Sequence, residues 1–567
     1  MSAETLSADE FAYGLDVAGL DMGSLAEALR AVVADAMADP ARMTTWLTDV
    51  TLHDQAIGMN VLRRLMLEPV DPHAAPAAGD KRFLDPAWSK NPFLAGMLES
   101  YLARARAALA LVESSPLPEP TRRKAKFILT MLTDAVAPTN IPWVNPTVVK
   151  EAIDSGGGSL MRGMQNYLDD VRTNSGKPRQ VDSSSFELGR NLAATPGRIV
   201  FSNELIELIA YEPQTPTVHA APLLCSPPWI NKFYIMDLAP NRSFVEWAVR
   251  HGHQTFMISY RNPDASMRDF GLDTYLELGP LAALDAVRAI TGAPKVNLAS
   301  LCLGGTMAVL LLAYLTAHGR ADQIGAATLT NTLIDFAEPG ELGVFTDETT
   351  IARLERGMNE RGFLEADQMG GTFDWMRSND LVWGYVVNNW FMGRKPPAFD
   401  ILTWNSDTTR LPAKMHSQYL RSCYLRNALV QPGAFVIDGT PVDLATIRTP
   451  LYVLGAENDH IAPWRSSYRT TQLVGSEDVK YTLSNAGHIA GIVNPVGGKK
   501  AWYRTKDRAV RGEGPDAWMA SAERHDGSWW EDWAPWAGAH GGADVKPYDL
   551  PRGEPAPGRY VRNEPPA

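Results

Sequence analysis

From about residue 195 onward, short apolar runs of strand length alternate with amphipathic stretches of helical length. The runs are APLLCS, QTFMISY, KVNLAS, IGAATLT, PLYVLGA and VKYTLS, and the stretches between them include RSFVEWAVRHG, YLELGPLAALDAVRAI and TMAVLLLAYLTAHG. Strands that alternate with helices form a parallel sheet that is covered on both faces. The alternation therefore predicts an α/β fold for this part of the chain.

The first part of the chain has a different sequence pattern. Stretches such as NPFLAGMLESYLARARAALALVESS carry apolar residues at the three-and-four spacing of a helix, and breaks such as EPVDPHAAPAAGD separate them. A chain of 567 residues is long for one domain. We expect a helical N-terminal domain at residues 1–185 and a catalytic domain at residues 186–567.

The alternation breaks between about 333 and 430, where the sequence is rich in aromatic residues and Asn. An insertion there, between strands, is expected to form a lid at the mouth of the sheet. Its aromatic residues either line the site or form the lid's own core: Trp375, Trp383, Tyr385, Trp390, Phe391 and Phe399. The last sixty residues are expected to be an irregular extension, whose tryptophans (Trp529, Trp530, Trp533 and Trp536) serve packing rather than a partner surface.

Composition excludes several classes of function. The net charge is −12 and no block of basic residues occurs, which argues against a nucleic-acid partner. The longest apolar run, near Met307–Leu315, is too short to cross a bilayer. The N-terminal MSAETLSADEF lacks the order of a signal peptide, and three cysteines form no disulfide framework, so we expect a cytoplasmic protein. Neither CxxC nor HExxH occurs, and we expect no metal site and no cofactor.

The stretch VNLASLCLGG places Cys302 at the turn between a strand and a helix. This is the pattern G-x-S-x-G with Cys in place of Ser and with Ser300 at its first Gly. Such a turn strains the backbone of a nucleophile and needs small neighbours. The start of a helix favours a thiolate and can bind an oxyanion. Cys302 is therefore a candidate nucleophile, although a buried core cysteine is the commoner fate of a free thiol.

Two later strands lead into candidate partners for this thiol. LYVLGAENDHIAPW leads to Asp459, and YTLSNAGHIAGIVNP leads to His488. Nucleophile, acid and histidine is the chain order in which α/β-hydrolases deliver a triad, each from the carboxyl end of a strand. Taken separately, Asp459 could be a helix N-cap and His488 an ordinary loop histidine. We expect His460 to be structural, since a neighbour of Asp459 does not easily share its direction.

An oxyanion hole in this fold needs two backbone amides. One belongs to the residue after the nucleophile, here Leu303, and the other to a loop after an early strand. In LLCSPPWINKFYIMDL that loop holds Trp229, Ile230 and Asn231, and Ile230 is the candidate donor. Cys225 lies within the strand itself and is expected to serve packing.

Long blocks of the sequence resemble a known family, the class I polyhydroxyalkanoate synthases of the α/β-hydrolase superfamily. The blocks include RFLDPAWSKNPF, LGRNLAATPGRIVFSNELIELIAYEP, PPWINKFYIMDL, NDLVWGYVVNNW, PPAFDILTWNSDTTRLPAKMHSQYLR and GHIAGIVNP, and they span about residues 80–500. The tail GSWW…APGRYV is also similar to class I. One departure is Ser300, which stands where the family's G-x-C-x-G box has Gly.

The resemblance implies an α/β-hydrolase fold with an inserted lid and an acyltransferase that joins (R)-3-hydroxyacyl-CoA units, short-chain ones such as 3-hydroxybutyryl-CoA, into a polyester. It implies Cys302 as the acyl-carrying nucleophile, His488 as its base, and Asp459 as a partner of the histidine or of the incoming hydroxyl. It also implies a homodimer on cytoplasmic storage granules. The alternatives are a thiol hydrolase or depolymerase on the same fold, and a granule-coat protein with a decayed site.

Overall fold

The computed structural model describes residues 16–17, 20–509 and 511–565. The expectation drawn from the acidic N-terminal stretch concerns residues that lie outside this range. The chain divides into two compact units. The first comprises the residues up to Asp182 together with 367–398, and the second comprises 183–366 and 399–567.

The first unit is helical. Its α-helices are Met22–Ala38, Pro40–Leu65, Ala87–Lys90, Pro92–Glu113, Glu119–Ala135, Pro146–Asp154, Gly158–Thr173 and Ala366–Met376, with π-helical turns at Asn379–Trp383 and Val386–Phe391 and a short strand pair at 16–17 and 20–21. Three of these helices begin with an Asx side chain that accepts backbone N–H bonds, followed by proline at the first helical position. This arrangement satisfies free amides and presets the backbone for the helix.

The middle of the expected lid belongs to this first unit. Ser378 Oγ donates to Asp134 at 2.6 Å, and Gln180 Nε2 donates to Asp374 at 2.8 Å. Trp390 Nε1 donates to Asp170 at 2.9 Å, and its ring packs edge-on against Tyr167. The expectation of one continuous lid at 333–430 therefore differs from the structure, because residues 367–398 satisfy their polar groups against the N-terminal helices.

The second unit is built on a mixed sheet of ten strands within the described residues. In chain order they are Gly197–Ser202 (β1), Ile206–Tyr211 (β2), Leu223–Ser226 (β3), Thr255–Tyr260 (β4), Val296–Leu301 (β5), Ile324–Thr330 (β6), Leu451–Ala456 (β7), Val479–Ser484 (β8), Trp502–Thr505 (β9) and Glu523–Asp526 (β10). Across the sheet they run β10-β9-β8-β7-β6-β5-β3-β4-β2-β1. Strands β3 to β8 are parallel, and antiparallel pairs close both edges.

The six apolar runs of the sequence coincide with the six parallel strands, which confirms the predicted α/β fold. The α-helices of this unit are Phe244–Arg250, Leu272–Leu276, Ala282–Thr291, Leu303–Ala317, Glu348–Arg361, Asp400–Ser406, Ala413–Tyr419, Trp464–Tyr468, Thr470–Leu473, His488–Ile492, Pro515–Ser521 and Trp529–Ala539. π-Helical turns occur at Glu277–Leu281 and Leu420–Leu425. Strand β5 and the helix after it are almost wholly buried, so the Cys302 turn lies at the centre of the sheet.

The C-terminal extension was expected to be irregular, but it contains β10 and the helices Pro515–Ser521 and Trp529–Ala539 and is an integral part of this unit. Trp529, Trp530 and Trp533 are all buried in the helix Trp529–Ala539 and pack around Phe244. Ser528 caps this helix in a capping box with Glu531. The tryptophans therefore serve packing, as expected. Among the described residues no helix combines the length and apolar character needed to cross a membrane.

Candidate active site

The backbone of Cys302 is strained at the turn between β5 and the helix Leu303–Ala317. Its φ is +50° and its ψ is −118°, outside the regions that a residue with a side chain adopts freely. Cys302 N donates to Thr330 O on the neighbouring strand at 2.9 Å, which holds the turn in place. Strain of this kind persists only where the surrounding structure enforces it.

The small residues after Cys302 allow the helix to start close to two neighbouring segments. A Cβ at Gly304 would collide with the carbonyl oxygens of Ser226 and Pro227, at the end of β3. A Cβ at Gly305 would collide with the side chain of Thr332, just beyond β6. The requirement for small residues on this side of the nucleophile is therefore steric.

Ser300 occupies the position where the sequence pattern has its first glycine. It is paired with Ser226 in the register of β5 with β3 and is buried. Within the described residues its hydroxyl has no hydrogen-bond partner. The serine side chain fits without displacing the turn, and no contact of its hydroxyl accounts for its presence.

Asp459 and His488 are joined at the carboxyl ends of β7 and β8. His488 Nδ1 lies 2.6 Å from Asp459 Oδ2, and both residues are buried. The other carboxylate oxygen, Oδ1, accepts from the amides of Ile461 at 2.9 Å and Ala462 at 2.8 Å. Asp459 thus caps the following turn and is also a partner of the histidine. The sequence had offered these as alternative roles, and the structure shows both contacts.

Three influences act on the pKa of His488. Burial disfavours the imidazolium, but the charges of Asp459 and Cys302 and hydrogen bonds to both side chains outweigh it and raise the pKa well above its usual range. Because Asp459 takes Nδ1, the remaining ring nitrogen serves the thiol. The structure therefore brings Cys302, His488 and Asp459 into one interacting set.

The short helix that begins at His488 is held from two sides. Asn331, just beyond β6, donates from its side-chain amide to His488 O at 2.5 Å. The indole N–H groups of Trp529 and Trp530 donate to the carbonyls of Gly491 and Ile492 at 2.6 and 3.1 Å. The C-terminal extension thus fixes the segment that carries the histidine.

The two predicted oxyanion donors belong to the helix that follows Cys302 and to the loop after β3. Leu303 is the first residue of the buried helix, where backbone N–H groups have no partner within the helix. Ile230 lies in the loop after β3, which contacts the start of that helix at Gly304. The next amide along, that of Asn231, donates to Thr409 Oγ1 at 2.9 Å and is therefore occupied.

The remaining candidates have other surroundings. Cys225 is buried in the middle of the sheet, where burial and the charge of Asp237 raise the pKa of its thiol, so it serves packing as expected. Cys423 is also buried, and burial raises its pKa to about 12. His460 accepts a bond from Glu341 N through its carbonyl. Among the described residues no cluster of three or more His, Cys, Asp or Glu could hold a metal ion.

Comparison with known proteins places this geometry in a family. Residues 79–248 match the family model for the N-terminus of poly-beta-hydroxybutyrate polymerase (PhaC), and residues 223–495 match the alpha/beta hydrolase fold. Poly(3-hydroxyalkanoate) polymerase 2 of Ectopseudomonas oleovorans is 42% identical over 86% of this chain and 87% of its own. The chain belongs to the poly(3-hydroxyalkanoate) polymerases.

Other polymerases agree across nearly the whole length. The poly(3-hydroxyalkanoate) polymerase of Methylorubrum extorquens is 40% identical over 96% of this chain and 90% of its own. The polymerase subunit of Cupriavidus necator is 40% identical over 85% of this chain and 83% of its own. These likenesses confirm the resemblance drawn from the sequence and identify the chain as an acyltransferase enzyme.

Sequence reasoning missed several residues around the site of this polymerase. Asn331 could have been suspected, because a polar residue directly follows an apolar strand there. Tyr419 and Tyr424 carried no such signal. Tyr424 lies in a π-helical turn that directly follows Tyr419. The pKa values of both tyrosines are raised by burial first and then, in part, by the charge of Cys302.

Proposed function

We propose that this protein joins (R)-3-hydroxyacyl-CoA units into a polyester and releases CoA, with the acyl group carried as a thioester on Cys302. The observation that carries the proposal is the coupling of His488 to both Cys302 and Asp459 at a strained strand-to-helix turn. Membership of the poly(3-hydroxyalkanoate) polymerases supports the substrate class. The matched family regions, residues 79–248 and 223–495, include part of the N-terminal unit as well as most of the sheet.

In the first half-reaction Cys302 attacks the thioester carbonyl of the substrate. His488 takes the thiol proton and holds it as an imidazolium beside the Cys302 sulfur, and the carboxylate of Asp459 stabilises this charge through Nδ1. The amides of Leu303 and Ile230 are the proposed donors to the oxyanion. The carbon–sulfur bond to CoA then breaks, and His488 returns a proton to the departing sulfur.

In the second half-reaction the 3-hydroxyl group of another hydroxyacyl unit attacks the acyl group on Cys302. His488 accepts the hydroxyl proton, and Asp459 orients the histidine or assists the hydroxyl directly. The bond to Asp459 Oδ2 supports the first of these two roles. The carbon–sulfur bond to Cys302 then breaks, and His488 shares the accepted proton with the released sulfur. Each cycle forms one ester bond and frees Cys302 for the next acyl group.

A thiol suits this reaction for an energetic reason. Attack on a thioester by Cys gives another thioester, so the acyl group moves with little change in free energy. An ester on serine would be a more stable intermediate and would pass its acyl group to a hydroxyl more slowly. The apolar surroundings of the turn also exclude competing water.

We further propose that the preferred substrates are short-chain, with 3-hydroxybutyryl-CoA as the first to test, and that the enzyme acts as a homodimer on cytoplasmic granules. The resemblance to class I synthases supports both statements. In the first unit the helix Pro40–Leu65 exposes Leu47, Leu52, Met59 and Leu62, an apolar face of the kind that interaction surfaces carry.

Incubation with 3-hydroxybutyryl-CoA tests the proposal directly. We expect release of CoA, turbidity from insoluble polyester, and little free 3-hydroxybutyrate. Mass spectrometry of the quenched enzyme should find the acyl chain on the peptide that holds Cys302. Free 3-hydroxybutyrate as the main product, without polymer, would establish the hydrolase alternative instead.

A second measurement tests assembly and location. Light scattering coupled to size-exclusion chromatography, with and without substrate, should detect a dimer. Polyester granules made by the enzyme should carry it through density-gradient centrifugation. A monomer at all concentrations, or protein that stays in the supernatant, would remove these two parts of the proposal and leave the chemistry intact.

A further inference from the structure

Tyr419 and Tyr424 form a hydroxyl pair that an α-helix could not build. Residues five apart in an α-helix lie about 140° apart around its axis. Here Leu420–Leu425 is a π-helical turn with Tyr419 as its N-cap residue, and i→i+5 bonding aligns residues five apart. Tyr419 OH donates to Tyr424 OH across 3.4 Å. π-Helical turns are rare and frequently occur at functional sites.

The pair is held by aromatic contacts from two segments that touch the Cys302 turn. The ring of Trp229 lies 5.7 Å from that of Tyr419, and the ring of Phe336 lies 4.9 Å from that of Tyr424. Trp229 belongs to the loop after β3. Phe336 follows Thr332, which lies just beyond β6.

Each of these two segments makes its own contact with the turn. The loop after β3 abuts Gly304 through the carbonyls of Ser226 and Pro227. Thr332 Oγ1 donates to Cys302 O at 3.3 Å. The two segments that contact the tyrosine pair therefore also contact the turn that carries Cys302.

Electrostatics agrees with this placement. Burial raises the pKa of Tyr424, and the charge of Cys302 raises it further, without a hydrogen bond between the two. Burial likewise raises the pKa of Tyr419, with a smaller contribution from Cys302. Tyr424 is thus a neutral phenol that accepts from Tyr419 and keeps its own proton to donate. The charge of the Cys302 sulfur therefore affects Tyr424, although no hydrogen bond joins the two groups.

We propose that Tyr424 donates a hydrogen bond to the sulfur of the departing CoA thiolate, with Tyr419 as its positioning residue. The inference rests on the proposed acyl transfer. The Cys302 sulfur–carbon bond forms and the carbon–CoA sulfur bond breaks, and the electron pair of that bond stays on the CoA sulfur. In the tetrahedral intermediate this sulfur is attached to the same carbon as Cys302 Sγ, and the proposal assigns the Tyr424 hydroxyl to it. Tyr424 keeps its proton, and His488 protonates the released thiolate.

The test compares two thioesters of the same acyl group in single-turnover acylation. One is 3-hydroxybutyryl-CoA, whose alkyl thiolate is a poor leaving group, and the other is the 4-nitrothiophenyl ester, whose thiolate is intrinsically stable. Tyr424→Phe should slow acylation by the CoA ester about 10- to 100-fold, since hydrogen bonds to charged groups have that effect. It should slow the aryl ester less than about 3-fold, because little charge then needs stabilising. Tyr419→Phe should also slow acylation by the CoA ester more than acylation by the aryl ester, but by a smaller factor than Tyr424→Phe.

Tyr275→Phe is the matched control, because Tyr275 is a buried tyrosine whose pKa is raised by burial and by Tyr260, with no contribution from Cys302. It should leave the ratio of the two rates unchanged. Equal slowing of both esters by Tyr424→Phe, or no slowing of either, would overturn the inference. Failure of the proposed function is a separate result, since wild-type enzyme would then acquire no acyl group on Cys302 from either ester.

Discussion

Cys225 lies within a strand of the sheet, Cys302 lies just beyond the end of the neighbouring strand, and the two thiols have opposite surroundings. Cys225 lies within β3, paired with Ala299 of β5, and is completely buried. Cys302 lies one residue beyond the end of β5, is partly exposed, and has a positive φ. Burial favours the protonated thiol of Cys225, whereas Cys302 has a histidine partner and the start of a helix. The comparison teaches that position along a strand, rather than the residue type, separates a packing thiol from a candidate nucleophile.

The strongest test of this comparison exchanges each thiol for a methyl group. Cys302→Ala should lower CoA release by about 10⁴-fold or more, as removal of a covalent nucleophile does. Cys225→Ala should retain activity and lose about 1 kcal/mol of unfolding free energy through a small cavity. CoA release and denaturant unfolding of both variants measure this. Acyl label on Cys225 or Cys423 would contradict the assignment.

The second-largest loss of activity is expected when the proton acceptor, His488, is removed. His488→Ala should slow the first acylation by about 10²- to 10⁴-fold, the usual contribution of a general base. Rapid-quench measurement of acyl-enzyme from 3-hydroxybutyryl-CoA detects this step alone. His460→Ala is the matched control and should acylate at close to the wild-type rate. Similar losses in both variants would remove the distinction between the two histidines.

A smaller effect is expected from Asp459→Asn, and it depends on pH. Loss of the carboxylate removes the first of the influences that raise the pKa of His488, so the pKa falls and the imidazolium is lost at lower pH. Thiol labelling by iodoacetamide near neutral pH should slow about 10- to 100-fold and recover as the pH rises. The first acylation should still occur, while elongation stalls with a short chain on the protein.

The same raised pKa affects stability. A protonated His488 stabilises the folded wild type at low and neutral pH, and this contribution is lost as the pH rises through the raised folded-state pKa. The stability of Asp459→Asn should therefore depend less on pH in that alkaline range. If labelling and unfolding of this variant follow the wild-type pH profiles, Asp459 does not control the histidine.

A weaker effect on acylation is expected when a hydrogen bond to the short helix that begins at His488 is removed. Trp529→Phe removes the indole donor to Gly491 O and keeps most of the packing. The loss of one hydrogen bond, about 1 kcal/mol, predicts a decrease of about 3- to 10-fold in acylation rate if the segment loosens. Trp533→Phe, which loses a bond to Thr328 in the sheet instead, is the control for stability alone. Equal acylation rates in the two variants would show that the extension serves only folding.

The smallest effect is expected at Ser300. Ser300→Gly removes a buried hydroxyl that lacks a partner among the described residues, and adds backbone freedom to the unfolded chain. These opposing terms should leave stability within about 1 kcal/mol of wild type and activity within about 3-fold. Thermal unfolding and CoA release measure both. A larger loss of activity with unchanged stability would give Ser300 a role at the turn.

The sequence by itself determined the parallel sheet and the order of its candidate residues. Apolar runs buried on both faces are recognisable from composition alone, and the six runs became β3 to β8. Residues that follow the strands of one parallel sheet meet at one edge, so local sequence was sufficient to predict that Cys302, Asp459 and His488 lie together. The antiparallel edge strands β1, β2, β9 and β10 carried a weaker signal.

Only the tertiary structure decided which distant segments complete this site. Residues 367–398 were expected in the lid, but they are part of the helical unit because their partners, such as Asp134 and Asp170, lie more than two hundred positions away. Tyr424 lies in a π-helical turn that no periodicity of the sequence predicts, and its pKa is raised in part by the charge of Cys302. Local patterns report which face of an element is buried. They cannot report which element it is buried against, because that choice depends on packing between segments far apart in the chain.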